Sequence, residues 1–163
     1  FGTKLIGYTR KVSKKDKYLT NIYFSKDLKK SAINLDYLII ACPLTDKTKN
    51  MIDINIFKSM KKTGVIINRA RGGIINESDL YEALKSKIIG GAIIDTWFKY
   101  PHNKEENNFK PSNYSFNKMK NVVMSPHISA WSENMIDRRS KVISDNINRL
   151  YEGKVLINVV KKG

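Results

Sequence analysis

The sequence contains a single cysteine, few acidic residues and no long apolar run. Cys42 stands alone, which excludes a disulfide framework and suits a reducing compartment, so we expect a cytoplasmic protein. No apolar run approaches the roughly 18 residues that a membrane helix requires. We therefore expect no membrane partner.

Basic residues outnumber acidic ones, with 30 Lys and Arg against 15 Asp and Glu, and the net charge is +15. Such an excess can mark a nucleic-acid partner, but the lysines are scattered and no Arg-rich face is interleaved with aromatic residues. We expect solvated lysines, no nucleic-acid partner, and a positive field that attracts an anionic cofactor or substrate. A second hypothesis stays open, in which a basic binding or regulatory module has kept its fold and lost catalysis.

Strand-like runs alternate with short helical segments along the whole chain. Two of the runs, 37–41 and 65–67, are continuously apolar, which is typical of strands that are covered on both faces. This alternation predicts an α/β fold with a doubly wound, mostly parallel sheet. The predicted strands are Lys4–Tyr8, Asn21–Phe24, Asp36–Ala41, Gly64–Asn68, Gly91–Asp95, Asn121–Ser125 and Val155–Val160.

Helices are predicted from capping residues and apolar spacing. The predicted features are a short helix capped by Ser25 or Asp27, a helix after Asp53, a helix over Glu77–Lys87 with Gly90 as its stop, and a long helix from Ser132 to Tyr151 that ends at Gly153. The segment from Tyr100 to Lys120 has no clear period, and long excursions of this kind are often functional.

Polar residues follow four successive predicted strands. Cys42-Pro43-Leu44-Thr45 follows the third strand and Arg69 and Arg71 follow the fourth. Asp95 ends the fifth strand, and Pro126 and His127 follow the sixth. Ligands of open α/β sheets bind beyond the carboxyl ends of the strands. The pattern therefore predicts one rim that holds an anionic substrate and moves a proton.

Four ordered motifs resemble the D-isomer-specific 2-hydroxyacid dehydrogenases. They are the run from Met60 to Gly73, Cys42-Pro43-Leu44-Thr45 with Thr48, the run from Gly90 to Asp95, and Ser125-Pro126-His127-Ile128. The resemblance covers essentially all 163 residues. It implies a Rossmann-type NAD(P)-binding domain of an oxidoreductase that transfers a hydride between NAD(P) and a D-2-hydroxy acid or 2-oxo acid.

The resemblance also assigns roles to single residues. Arg71 is expected to clamp the substrate carboxylate and 2-oxo group, and His127 to exchange a proton with the substrate oxygen. No metal ligand is expected, and relatives of this kind usually form homodimers. The residues expected on the cofactor side are Thr9, Arg10, Cys42, Pro43, Thr48, Arg69, Ala70, Asp95 and Ala130.

The chain begins with Phe1 directly before a strand-like run, and the Gly-x-Gly-x-x-Gly turn that cradles a pyrophosphate is not in it. We therefore expect residues 1–163 to be an incomplete dinucleotide-binding domain that lacks its first βα unit. Residues 131–163 are expected to contain the helix and strand that return toward a missing substrate domain. Such a fragment should be inactive alone.

The first departure from the family pattern is Tyr100, which stands where the family usually has the Glu that orients its histidine. A tyrosine can hydrogen-bond an imidazole but offers no full negative charge. We expect Tyr100 to complete the catalytic set, or a carboxylate at Glu105, Glu106 or Glu133 to replace that Glu. A reaction without proton transfer, as in the formate dehydrogenases of the superfamily, is the remaining alternative.

The second departure lies after the first predicted strand. NAD-preferring relatives have an acidic residue there for the adenosine ribose, whereas this chain has Tyr8-Thr9-Arg10-Lys11. An arginine at this place can pair with a 2′-phosphate. The sequence therefore predicts NADP or NAD as cofactor, with a preference for NADP.

Overall fold

The structure is a computed structural model that describes residues 2–9, 18–24, 28–101 and 109–160. The chain divides into two compact units, Phe1–His127 and Ile128–Gly163. In the first unit the described strands are β1 (Leu5–Thr9), β2 (Leu19–Phe24), β3 (Tyr37–Ile40), β4 (Val65–Asn68), β5 (Gly91–Ile94) and β6 (Val122–Met124). The helices are α1 (Leu28–Ser31), α2 (Ile54–Ser59) and α3 (Glu77–Lys85), and α4 (Met135–Tyr151) lies in the second unit.

All the strand pairs that the structure describes are parallel. β1 pairs with β2 in a two-stranded sheet, and β3, β4, β5 and β6 lie in this order in a four-stranded sheet. The six strands predicted before residue 126 are present, and the α/β class with parallel strands is confirmed. The strands are divided between two sheets rather than joined in one.

One face of the four-stranded sheet is buried. On that face β3, β4 and β5 form a single apolar core with α2 and α3. The two continuously apolar runs differ in burial: no residue of the run 65–67 is exposed, whereas Tyr37 and Ile39 in the run 37–41 are 60% and 59% exposed. The prediction of coverage on both faces is therefore wrong for β3. A continuously apolar strand is suited to burial on both faces, but its sequence does not say which layers are present to cover it.

The helices α2 and α3 begin at the predicted places, directly after Asp53 and at Glu77. The Asp53 carboxylate accepts hydrogen bonds from the backbone N–H groups of Asn55 and Ile56, which begins α2. Asn76 caps α3 by accepting from the N–H of Asp79. Ser25 and Asp27, the predicted caps of α1, lie outside the described residues.

The predicted end of α3 is wrong. The helix ends at Lys85, and Lys87 adopts a left-handed conformation with φ +53°. Gly90 serves a different purpose, since a Cβ atom there would lie 2.6 Å from the Thr63 carbonyl oxygen. The glycine therefore permits the chain to pass close to the start of β4 rather than stopping the helix.

The second unit departs from prediction on both sides of α4. The helix begins at Met135 rather than Ser132, after Asn134 in a left-handed conformation, and it ends at Tyr151 as predicted. The predicted strand Val155–Val160 is not a strand. The Asn146 side chain bonds the N–H and the C=O of Ile157, and Asn158 has φ +60°, which is incompatible with an extended ladder.

The Glu77 carboxylate of α3 binds the later part of the Tyr100–Lys120 segment. The oxygens of Glu77 accept from the Ser112 hydroxyl at 2.6 Å and from the Asn113 N–H at 2.8 Å. The Lys99 N–H also donates to the Pro111 carbonyl oxygen, which joins the beginning of the Tyr100–Lys120 segment to its later part. In the described part of the chain, no helix is long and apolar enough to cross a membrane.

Thr96 supplies a stability prediction. It is fully buried just after β5, and its hydroxyl oxygen is the one buried side-chain polar atom without a hydrogen-bond partner among the described residues. An unsatisfied buried hydroxyl costs about 1–3 kcal/mol. We expect Thr96→Val to raise the free energy of unfolding by about 1 kcal/mol, measured by urea denaturation.

Thr48 provides the matched control, because it is also buried and its hydroxyl is hydrogen-bonded. It donates to the Pro43 carbonyl oxygen at 2.7 Å and accepts from the Thr45 N–H at 2.8 Å. Thr48→Val is expected to lower the free energy of unfolding by about 1–2 kcal/mol. Equal losses for both variants would contradict the interpretation of Thr96.

Candidate active site

The turn after β4 is organised by a buried asparagine. Asn68 is the last residue of β4 and is 1% exposed. Its Oδ1 accepts from the Ala70 N–H at 3.1 Å, and its Nδ2 donates to the Arg71 carbonyl oxygen at 3.0 Å. The buried Asn68 side chain therefore fixes the backbone of the turn. The side chains of Arg69 and Arg71 are exposed.

Arg71 has extended backbone, with φ −153°, and begins a 3-10 turn over Gly72–Ile74. Its Nη1 donates to the Ala70 carbonyl oxygen at 2.7 Å. This is a contact with its own turn and not with an acidic side chain. A guanidinium so placed keeps donors for an incoming anion, and its planar fork matches a carboxylate.

The Arg71 turn rests directly on the backbone after β5. A Cβ atom at Gly72 would lie 2.2 Å from the Trp97 carbonyl oxygen and 2.7 Å from the Phe98 nitrogen. Only a residue without a side chain permits this approach. Gly72 therefore couples the positions of the two strand ends that carry Arg71 and Trp97.

The ends of β5 and β6 are joined by two side-chain hydrogen bonds. The Ser125 hydroxyl donates to the carboxylate of Asp95, which is 4% exposed, at 2.5 Å. The Trp97 indole N–H donates to the Ser125 carbonyl oxygen at 2.9 Å. These contacts fix the backbone that leads into Pro126 and His127.

Tyr100 and His127 form a hydrogen-bonded pair. The Tyr100 Oη lies 3.0 Å from the His127 Nδ1 and 3.1 Å from the backbone nitrogen of Trp97, which donates to it. The two rings are tilted by 48° with their centroids 5.6 Å apart. The tyrosine that stands in place of the expected glutamate therefore contacts the histidine directly.

His127 has a left-handed backbone conformation, with φ +58°. Few residues other than glycine adopt this region, although histidine does so more often than most. Strained conformations of this kind cluster where a side chain must be aimed. Beside the pair lies an apolar cleft of about 480 Å³, lined by Trp97, Tyr100, Phe109, Pro111, Met124 and Pro126 among others.

The loop after β3 uses Thr48 to hold its own backbone. The Thr48 hydroxyl donates to the Pro43 carbonyl oxygen, and Cys42 beside it is half-buried. Thr48 thus shapes the backbone at Pro43, and its hydroxyl is already engaged within the loop.

The other predicted residues fall in three places. Thr9 ends β1 in the two-stranded sheet, Ala130 lies exposed in the second unit, and Arg10 lies outside the described residues. Glu105 and Glu106 are also outside them. Glu133 lies in the second unit, and its carbonyl oxygen accepts from Arg138.

Four positioning residues were not assigned a role from the sequence: Asn68, Gly72, Trp97 and Ser125. A signal existed for Asn68, since an amide that ends a buried apolar strand needs hydrogen-bond partners. The contacts of Gly72 and Ser125 join residues distant in the chain. They had no local signal.

Residues 1–129 match the family described as D-isomer specific 2-hydroxyacid dehydrogenase, NAD binding domain. The chain belongs to this family. This dehydrogenase domain is 29% identical over 160 aligned positions to D-3-phosphoglycerate dehydrogenase of Methanocaldococcus jannaschii, covering 98% of the chain and 29% of that protein. It is 30% identical over 165 aligned positions to glyoxylate reductase of Thermococcus litoralis, covering 99% of the chain and 46% of that protein.

Solved structures agree with this membership. The dehydrogenase domain superposes with a TM-score of 0.76 on an NADPH-dependent glyoxylate/hydroxypyruvate reductase of Sinorhizobium meliloti in complex with NADP and sulfate, at 27% identity. The match covers 98% of the chain and 48% of that structure. The chain thus spans less than half the length of these relatives. The predicted family and the Rossmann-type fold are confirmed.

Proposed function

We propose that this domain is the cofactor-binding part of an oxidoreductase that transfers a hydride between NAD(P) and a D-2-hydroxy acid or its 2-oxo acid. The observation that carries the proposal is the unbroken series of contacts from the Arg71 turn through Trp97 and Tyr100 to His127. Such a series keeps an anion-binding guanidinium and a proton-exchanging imidazole in a fixed relation. A 2-oxo acid needs both groups.

Each catalytic side chain has one role in this proposal. Arg71 binds the substrate carboxylate with two parallel N–H donors and lies against the 2-oxo group. His127 gives a proton to the carbonyl oxygen during reduction and removes it during oxidation. Tyr100 acts on His127 as a positioning residue.

The residues after the strands fit a bound dinucleotide. Cys42, Pro43 and Ala70 are small or compact residues at the carboxyl ends of β3 and β4, where backbone can approach a flat ring closely. Asp95, held by Ser125, is proposed to bind the nicotinamide carboxamide, and Thr9 the adenosine end. NAD(P) would supply the hydride, and Arg69, Thr48 and Ala130 complete the proposed set.

The sheet division supports the proposal that the first βα unit is missing. In the Rossmann order 3-2-1-4-5-6 the first strand lies between the second and the fourth. We assign β1 and β2 of this chain to positions 2 and 3 of that order, and β3 to position 4. The strand at position 1 would then lie between β1 and β3. The two sheets are separate at that place.

The proposed whole protein follows from this arrangement. We propose that an upstream strand, with its phosphate-binding turn, joins the two sheets, and that residues 131–163 return toward a substrate domain. A small 2-oxo or 2-hydroxy acid is the proposed partner, in a cytoplasmic homodimer.

The test is the reduction of 2-oxo acids, glyoxylate and hydroxypyruvate among them, by the full-length protein. We expect oxidation of NADPH on addition of the acid, with a KM for NADPH about ten-fold or more below that for NADH, because Arg10 can pair with a 2′-phosphate. Arg10→Asp is the matched variant, and it should reverse the preference. The isolated chain should show no turnover.

Two outcomes would count against this proposal. Absence of turnover with every 2-oxo acid would remove the activity. A clear preference of the unaltered protein for NAD would refute only the proposal that Arg10 pairs with the 2′-phosphate.

A further inference from the structure

We propose that Tyr100 holds His127 as the neutral tautomer with its proton on Nε2. When the Nε2 proton leaves, the Tyr100 hydroxyl transfers its own proton to Nδ1. The inference rests on the proposed function for its chemical consequence. The position of the proton is a property of the chain itself.

The hydrogen bond already accepted by the Tyr100 oxygen favours one direction for the bond toward His127. The Trp97 backbone N–H can only donate, and it already occupies an acceptor position of the Tyr100 Oη at 3.1 Å. The hydroxyl proton then needs an acceptor, and the His127 Nδ1 lies 3.0 Å away. With the hydroxyl donating to Nδ1, a neutral imidazole carries its proton on Nε2.

The charged groups near the flanking strand ends do not hydrogen-bond the His127 ring in place of Tyr100. Among the described residues, no carboxylate hydrogen-bonds the His127 ring. The Asp95 carboxylate accepts from the Ser125 hydroxyl, and the Lys99 ammonium donates to the Asn113 side chain at 2.6 Å. The phenol, which is neutral, is therefore the group that selects the tautomer.

The chemical consequence is a proton relay. As hydride reaches the carbonyl carbon, the Nε2–H bond breaks and its proton forms the alcohol O–H. The Tyr100 O–H bond breaks at the same time and its proton forms Nδ1–H, so that a neutral imidazole and a tyrosinate remain. A phenol is a stronger acid than the alcohol product, and the Trp97 N–H stabilises the tyrosinate.

The deciding experiment is ¹⁵N NMR of this chain labelled with ¹⁵N-histidine, followed through a pH series to the plateau of the neutral imidazole. The His102→Gln background leaves a single histidine. We expect a protonated Nε2, and an Nδ1 resonance displaced upfield by the Tyr100 hydroxyl. Tyr100→Phe should remove that displacement, and Tyr100→Glu should move the proton to Nδ1, because a carboxylate only accepts.

The relay predicts a second readout in the full-length protein. The rate of reduction should persist above neutral pH in the unaltered enzyme. In Tyr100→Phe, which has no hydroxyl proton to supply to Nδ1, the rate should instead fall with rising pH, by up to about ten-fold per pH unit. The KM for the 2-oxo acid should change little.

The proposal is overturned if the unaltered chain carries its proton on Nδ1, or if Tyr100→Phe leaves the Nδ1 resonance or the pH profile unchanged. The NMR measurement needs no turnover. A protein that reduces no 2-oxo acid would therefore refute the proposed function while the tautomer assignment is still decided separately.

Discussion

Replacement of Arg71 by alanine is expected to reduce kcat/KM for 2-oxo acid reduction by about a thousand-fold or more, equivalent to about 4 kcal/mol of transition-state stabilisation. In the proposed function the guanidinium would donate two parallel hydrogen bonds to the substrate carboxylate. The turn that carries it is fixed by Asn68 and by the contact of Gly72 with Trp97. Steady-state kinetics of the full-length protein measure the loss.

Arg69→Ala is the matched control for Arg71→Ala. Both arginines are exposed, lie in the same turn and carry the same charge. Arg69→Ala removes a proposed cofactor contact but leaves the carboxylate clamp intact, so its cost should be about ten-fold or less and should fall on the KM for the cofactor. Arg71→Lys should recover only part of the activity, since an ammonium cannot bind a carboxylate through a planar fork. Equal losses at the two positions would argue for a general charge effect and against a clamp.

Replacement of Gly72 by alanine is expected to lower the free energy of unfolding by about 3 kcal/mol or more. A Cβ atom there would lie 2.2 Å from the Trp97 carbonyl oxygen, which belongs to the backbone and cannot rotate away. Either the 3-10 turn or the end of β5 must shift. Urea denaturation and the thermal midpoint Tm of this chain measure the effect.

Gly73→Ala separates a backbone collision from a general cost of replacing glycine. A Cβ atom at Gly73 would meet the Leu44 Cδ2 at 3.3 Å, and that atom ends a flexible side chain. We expect a loss below about 1 kcal/mol. If Gly72→Ala were as well tolerated as Gly73→Ala, the close approach of the two strand ends would be in error.

Tyr100 shows how far a motif can be interpreted. The family pattern marks the position before Pro101 as the place of a histidine partner, and the structure brings the Tyr100 Oη to His127 Nδ1 across 27 residues of chain. The position of Tyr100 was predictable, because it lies at a fixed place in the family's order of motifs. The second hydrogen bond of Tyr100, from the Trp97 N–H, was not predictable. Its donor is a backbone group whose direction depends on how the chain turns after β5.

The helix and strand ends show a similar limit. The helix after Asp53 was predicted, because its apolar spacing and the cap that begins it act over a few neighbouring residues. The end of α3 and the fate of residues 155–160 were predicted wrongly. The close approach of Gly90 to Thr63 and the bonds of Asn146 to Ile157 join residues that are distant in the chain.

Apolar period and motif spacing are local properties, and they were enough to predict the alternation of strands and helices, the order of the strand ends and the family. They also predicted which side chains, Arg71 and His127 foremost, stand at those ends. Three features follow from the packed fold instead: the turn after β4 touches the backbone after β5, Tyr100 joins Trp97 to His127, and Ile39 of β3 is exposed. Those facts depend on distances between segments that close packing sets, and no local pattern contains them.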